Sequence, residues 1–146
     1  MRAVVTRVKH ASVTIEGRVN GRIGTGFLVL LGVGPDDTAE TAVKLADKIC
    51  NLRVFEDENG KMNRSLDQVG GSVLVVSQFT LYADTSSRRP GFSGAAKPDL
   101  AIPLYETFMQ QCRDRGFAVE HGEFGADMQV ESCNDGPVTI LFDTDK

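Results

Sequence analysis

The chain has 146 residues, 41% hydrophobic and 25% charged, with a net charge of −4 and a pI near 5.1. That length supports one core and one domain, 1–146, and no apolar run approaches the roughly 20 residues of a membrane span. The acidic balance argues against a global electrostatic grip on nucleic acid, leaving only local basic patches for such contacts.

Arg2 to Ile15 alternates as a strand, with Val4, Thr6 and Val8 on one face and Ala3, Val5 and Arg7 on the other. Asn20-Gly21 predicts a two-residue hairpin turn joining Ser12–Val19 to Arg22–Val33. Within the latter, Phe27-Leu28-Val29-Leu30-Leu31 predicts a buried strand, ended by Gly32, Gly34 and Pro35. Asp36, Asp37 and Thr38 offer N-caps for a helix to about Asn51, whose Ala42, Leu45, Ala46 and Ile49 form an inward stripe. Arg53-Val54-Phe55 reads as a short strand, Asp57–Gly60 as a turn, and Asn63 to Gln68 as irregular. Val73-Leu74-Val75-Val76 is the most apolar run and predicts a central strand buried on both faces. Ala83 to Pro98 is the longest loop. A second helix spans roughly Pro98 to Arg115, with Leu104, Tyr105, Phe108 and Cys112 inward. Val119–Phe124, Met128–Asn134 and Val138–Phe142 predict three closing strands.

Cys50, Cys112 and Cys133 are too dispersed for a disulfide framework or a metal knuckle. They read as small apolar fillers in a reducing compartment. The N-terminus has no signal-like apolar core, so the expected location is the cytoplasm. His10 and His121 lack ligand-spaced neighbours and no Gly-x-Ser-x-Gly elbow exists, so neither a metal site nor a cofactor is expected. Two polar stretches remain. Ser77-Gln78-Phe79-Thr80-Leu81-Tyr82 follows the central strand, where its hydroxyls mark either a site or a strand end turning to solvent. Asn134-Asp135-Gly136-Pro137-Val138-Thr139 has the composition of a turn.

Together these stretches resemble the two signature motifs of D-aminoacyl-tRNA deacylases, the D-tyrosyl-tRNA deacylase family. The likeness extends to the opening Arg-Ala-Val-Val-Thr-Arg-Val run, the Gly-Phe-Leu-Val-Leu-Leu-Gly strand and the Arg-Arg-Pro-Gly-Phe-Ser-Gly loop. The resemblance implies a single α/β domain, with a mixed, strongly curved, barrel-like sheet and two α-helices. It implies a homodimer that hydrolyses the ester of D-aminoacyl-tRNA, or of glycyl-tRNA, with its active site at the subunit interface. Residues matching Gly136-Pro137 form a cis peptide that enters the partner's site and excludes L side chains. Asn134, Val138 and Thr139 share that substrate-binding motif; Asp135, at a variable position, has no assigned role. Phe79 N–H is the expected oxyanion donor, with Ser77 and Gln78 placing the terminal adenosine. The RNA 2′-hydroxyl is expected to assist water. The rival makes Thr80 Oγ a covalent nucleophile, for which no base is in view. Arg88, Arg89 and Lys97 are candidate tRNA phosphate contacts, and Arg7 a brace for the Gly-Pro loop. The alternatives are a non-catalytic nucleic-acid or replication-factor binding module on the same fold, and an esterase for another small acyl group.

Overall fold

The computed structural model describes residues 1–146. Its strands are β1 (Arg2–Ile15), β2 (Arg18–Ile23), β3 (Gly26–Gly32), β4 (Arg53–Glu56), β5 (Met62–Ser65), β6 (Ser72–Ser77), β7 (Val119–His121) and β8 (Gln129–Asp143). The helices are α1 (Ala39–Cys50) and α2 (Pro98–Asp114). The main sheet runs β2-β1-β3-β6-β7, with β8 on β1, and β4-β5 form a separate pair. β6 is parallel to both β3 and β7, while β1 is antiparallel to β2, β3 and β8. The sheet is thus mixed. Asn20 Nδ2 of β2 donates to His121 O of β7 at 2.6 Å, so the curved sheet nearly closes on itself.

Unbroken apolar runs behave as expected. Val73 and Val75 face the helices, in a core with Phe27, Val29, Leu45, Ile49, Leu104 and Phe108. Leu74 and Val76 face the other way, packing with Val8, Val13, Ile23 and Leu28 inside the curve. Cys50 and Cys112 fill the helix interface with their Sγ atoms 3.7 Å apart, and Cys133 is half-buried. Thr38 caps α1 through a reciprocal pair with Thr41. Asp37 caps nothing: it is buried, accepting from the Met1 ammonium at 2.8 Å and from Gly34 N–H at 2.6 Å.

Five expectations about strands and turns fail. The β1-β2 turn is Glu16-Gly17, with φ of 50° and 78°, the positive pair that a tight hairpin needs. Asn20-Gly21 lies inside β2, where Val13 pairs with Gly21 and Thr14 with Val19, leaving Asn20 as a bulge. A Cβ on Gly21 would stand 3.0 Å from His121 O, so this glycine admits a neighbouring strand rather than a turn. The run Arg22–Val33 is two strands, broken at Gly24-Thr25. The stretch taken as irregular carries β5, which pairs with β4. Met128–Asn134 and Val138–Phe142 are one strand, β8, pairing along β1 with an interruption: Thr6 faces Thr139, Val8 faces Asn134, and the residues between loop out opposite Arg7. Val119–Phe124 keeps strand geometry only to His121.

Candidate active site

The candidate site starts at the carboxyl end of the parallel strand β6. Gln78 N–H donates to Leu31 O at 2.8 Å, extending the β3-β6 ladder by one bond. Regular pairing stops there. The chain curls into a 3₁₀ turn, Phe79–Tyr82, with Leu81 N–H on Gln78 O at 3.2 Å and Ala83 N–H on Thr80 O at 3.1 Å. The polar stretch after Ser77 is thus a turn rather than strand. A 3₁₀ turn leaves its first N–H groups without internal acceptors. Here the Phe79 and Thr80 amides meet no acceptor in the chain. Thr80 Oγ1 accepts from Gln78 Nε2 at 2.5 Å.

Phe79 is 53% exposed, a poor place for a ring unless something covers it. Its edge-on partner is Phe92 of the long loop, with centroids 5.2 Å apart. That loop is cinched by paired hydrogen bonds between Asp84 and Gly91, at 2.8 and 3.0 Å. The Ser86 N–H on Asp84 holds its carboxyl below the usual range. Arg88, Arg89 and Lys97 are all exposed, and none pairs with a carboxylate. Behind the turn, Arg2 donates to Leu81 O at 2.8 Å and lies over the Tyr82 ring. Burial, then the nearby Asp37 carboxylate, pushes the Tyr82 phenol up. Neither histidine hydrogen-bonds to the turn. His121 Nδ1 contacts Gly122 O at 2.6 Å, and His10 is exposed opposite Cys133. No three His, Cys, Asp or Glu side chains converge as a metal-ligand set.

The second motif is the interruption in β8. Asn134 closes it, its Oδ1 accepting from Val138 N–H at 3.0 Å and its Nδ2 donating to Thr139 Oγ1 at 3.1 Å. Gly136-Pro137 is cis and exposed, with Gly136 at φ 133°, a region closed to most L residues. Beneath it Arg7 is buried, donating from Nε to Asp135 O at 2.9 Å and from a terminal nitrogen to Val54 O at 2.5 Å.

One chain does not bring the motifs together. Arg2 touches the 3₁₀ turn and Arg7 the Gly-Pro loop. Five residue steps of strand separate them, roughly 17 Å, and their positions alternate to opposite faces of β1.

The chain matches the family described as D-Tyr-tRNA(Tyr) deacylase over residues 4–143. It belongs to that family. Relatives named D-aminoacyl-tRNA deacylase include one from Thermosipho africanus, 56% identical and covering 100% of this chain and 99% of the relative. Another, from Thermus aquaticus, is 59% identical, covering 99% of this chain and 95% of the relative. A solved structure described as c-Myc DNA Unwinding Element Binding Protein superposes with a TM-score of 0.92 at 43% identity, over 99% of both chains. A probable eukaryotic D-amino acid tRNA deacylase superposes at 0.84 over 97% of both chains; at 17% identity it speaks for the fold alone. The single-domain, barrel-like α/β architecture expected from the sequence is thus the family's own. Two residues around the 3₁₀ turn carried no sign of their position in the sequence. Phe92 was legible only as an aromatic in a polar loop. Arg2 had no local signal, since its partners Leu81 and Asp143 are remote in sequence.

Proposed function

We propose that the protein is a D-aminoacyl-tRNA deacylase, hydrolysing the ester between a D-amino acid and the terminal adenosine of tRNA. The observation that carries this reading is the pair of acceptor-free amides, Phe79 and Thr80, at the end of β6 with no base beside them. An aminoacyl ester is already activated, so what it needs most is a donor for the developing oxyanion. One such donor contributes roughly 3–4 kcal/mol. In this reading Phe79 N–H holds the oxyanion, Ser77 and Gln78 seat the adenosine, and the 2′-hydroxyl of the RNA orients the attacking water. The proton then passes from water to the leaving ribose 3′-oxygen. The exposed Phe79 and Phe92 rings suit a nucleobase, and Arg88, Arg89 and Lys97 take phosphates.

The site is completed by a second copy of the chain. β8 is a 15-residue edge strand with Leu141 76% and Val130 37% exposed, a surface that calls for a cover. The exposed Gly136-Pro137 of the partner subunit enters beside the amides, and Asn134, Val138, Thr139 and Arg7 hold that loop in shape. Its backbone meets the substrate's α-carbon, admitting D side chains or the bare glycyl group and refusing L side chains. The location this activity requires is the cytoplasm, where tRNA is charged.

Deacylation of D- and L-tyrosyl-tRNA tests the reading directly: fast hydrolysis of the D form alone is expected. Equal rates on both, or none on either, would overturn it. A 2′-deoxy terminal adenosine should lose most of the rate, and sedimentation equilibrium should give a dimer. A non-catalytic nucleic-acid module is the second reading, favoured by the description of the 43%-identical structure as a DNA-element binding protein and opposed by the net charge of −4. Absence of turnover with retained RNA binding would select it.

A further inference from the structure

A cavity of about 850 Å³ lies behind the 3₁₀ turn, between the start of β1, α1 and the end of β8. Its apolar lining includes Leu45, Leu81, Phe142 and Leu141, the last on the β8 face that the second copy covers in the proposed dimer, and its cations are Arg2, Lys44, Lys48 and Lys146. Lys44 and Lys48 stand one turn apart on the same face of α1. The one acid in the lining, Asp143, is bound to Arg2 at 3.2 Å, and Lys44 is held by Glu40 outside it at 2.8 Å. Lys48 and Lys146 pair with no carboxylate. Positive charge is therefore in excess here, on a chain whose net charge is −4. Leu81 joins the cavity to the proposed site, because it belongs to the turn that carries the free amides.

An apolar wall with a ring in it, edged by unpaired ammonium groups, suits a base and its phosphate. We propose that this cavity is a second nucleotide subsite, taking the nucleotide 5′ to the terminal adenosine in the single-stranded end of the RNA. The proposal rests on the reading of Ser77–Tyr82 as the adenosine site. Lys48 supplies the principal phosphate contact, with Lys44 the lesser one because Glu40 already holds it. Leu81 and Phe142, both half-buried, receive the base.

The test compares binding of the trinucleotide CCA with binding of adenosine alone, by fluorescence and calorimetric titration of the full-length protein. The variants are Lys48→Gln and Lys44→Gln/Lys48→Gln, with Lys9→Gln/Lys61→Gln as a control of equal charge change. CCA should bind several-fold more weakly to the double variant. The slope of log affinity against log salt should fall by about 0.7 for each phosphate contact removed. Adenosine binding and the control should be unchanged. If CCA binding and its salt slope do not move, or if adenosine weakens equally, the subsite is wrong. A change in sedimentation of the double variant would also overturn it, by showing the face to be a contact between copies. The deacylase reading fails separately, through absence of turnover on D-tyrosyl-tRNA, whatever these titrations give.

Discussion

A terminal nitrogen of Arg7 lies 2.9 Å from where a Cβ on residue 136 would stand. The buried guanidinium and the exposed Gly-Pro loop are therefore fitted to each other, with no room for a methyl group between them. Gly136→Ala would also meet Val138 Cγ2 at 2.9 Å and adopt a φ of 133° that alanine resists. Because Gly136 is exposed, the damage should stay local. Deacylation of D-tyrosyl-tRNA should fall at least tenfold while the urea midpoint moves little.

Arg7→Lys should do more to the fold. One ammonium cannot reach both Asp135 O and Val54 O as the fork does. A buried acceptor left unpaired costs about 1–3 kcal/mol. Chemical denaturation should show that loss, and kcat/KM should fall with it. A variant of wild-type stability and activity would refute the bracing role.

Thr80→Val separates backbone from side-chain chemistry. The hydroxyl's one contact in the chain is Gln78 Nε2, a neutral hydrogen bond worth about 0.5–1.5 kcal/mol, or roughly tenfold at most. Single-turnover rates on D-tyrosyl-tRNA should stay within that range. A fall of several orders of magnitude would make Thr80 Oγ the nucleophile.

Phe92→Ala removes the edge-on partner of Phe79, a contact worth about 0.5–1.5 kcal/mol beyond its buried area. The Asp84–Gly91 pairing keeps the loop closed, so the loss should appear as a several-fold rise in KM with kcat nearly unchanged. Steady-state kinetics decides it. A fall in kcat alone would place Phe92 in the chemistry instead.

The elements legible in the sequence were those whose signal is local. Val73–Val76 and Phe27–Leu31 are apolar without alternation because each is covered on both faces. The stripes of α1 and α2 follow from helical spacing. What escaped depends on partners far along the chain. Asn20-Gly21 has the chemistry of a turn, yet β7 passing beside Gly21 makes it a bulge, and Glu16, a residue that rarely takes positive φ, turns the hairpin. β8 reads as two strands because Asn134–Thr139 has turn composition. Only its pairing with β1 on both sides shows one strand. The two motifs themselves were legible by resemblance. Their separation along β1 was not, because it depends on which residues Arg2 and Arg7 reach.

The two tyrosines, the chain's only ones, should titrate together and late. Burial pushes both phenols above their ordinary value near 10. A group whose folded pKa exceeds its unfolded value keeps its proton better in the native state. Its contribution to stability is therefore intact below pH 10 and declines as pH rises past the unfolded value. Near-ultraviolet phenolate absorbance should stay flat through pH 10 and then rise in one step that coincides with loss of helical circular dichroism. The hydroxyls differ in what they touch. Tyr105 donates to Val75 O at 2.8 Å, on the central strand, so Tyr105→Phe should lower stability by about 1 kcal/mol. Tyr82 Oη is buried with no partner, so Tyr82→Phe removes a desolvated group and should leave stability unchanged or higher. Equal destabilisation by both variants would show that the Tyr82 hydroxyl has a partner in solution.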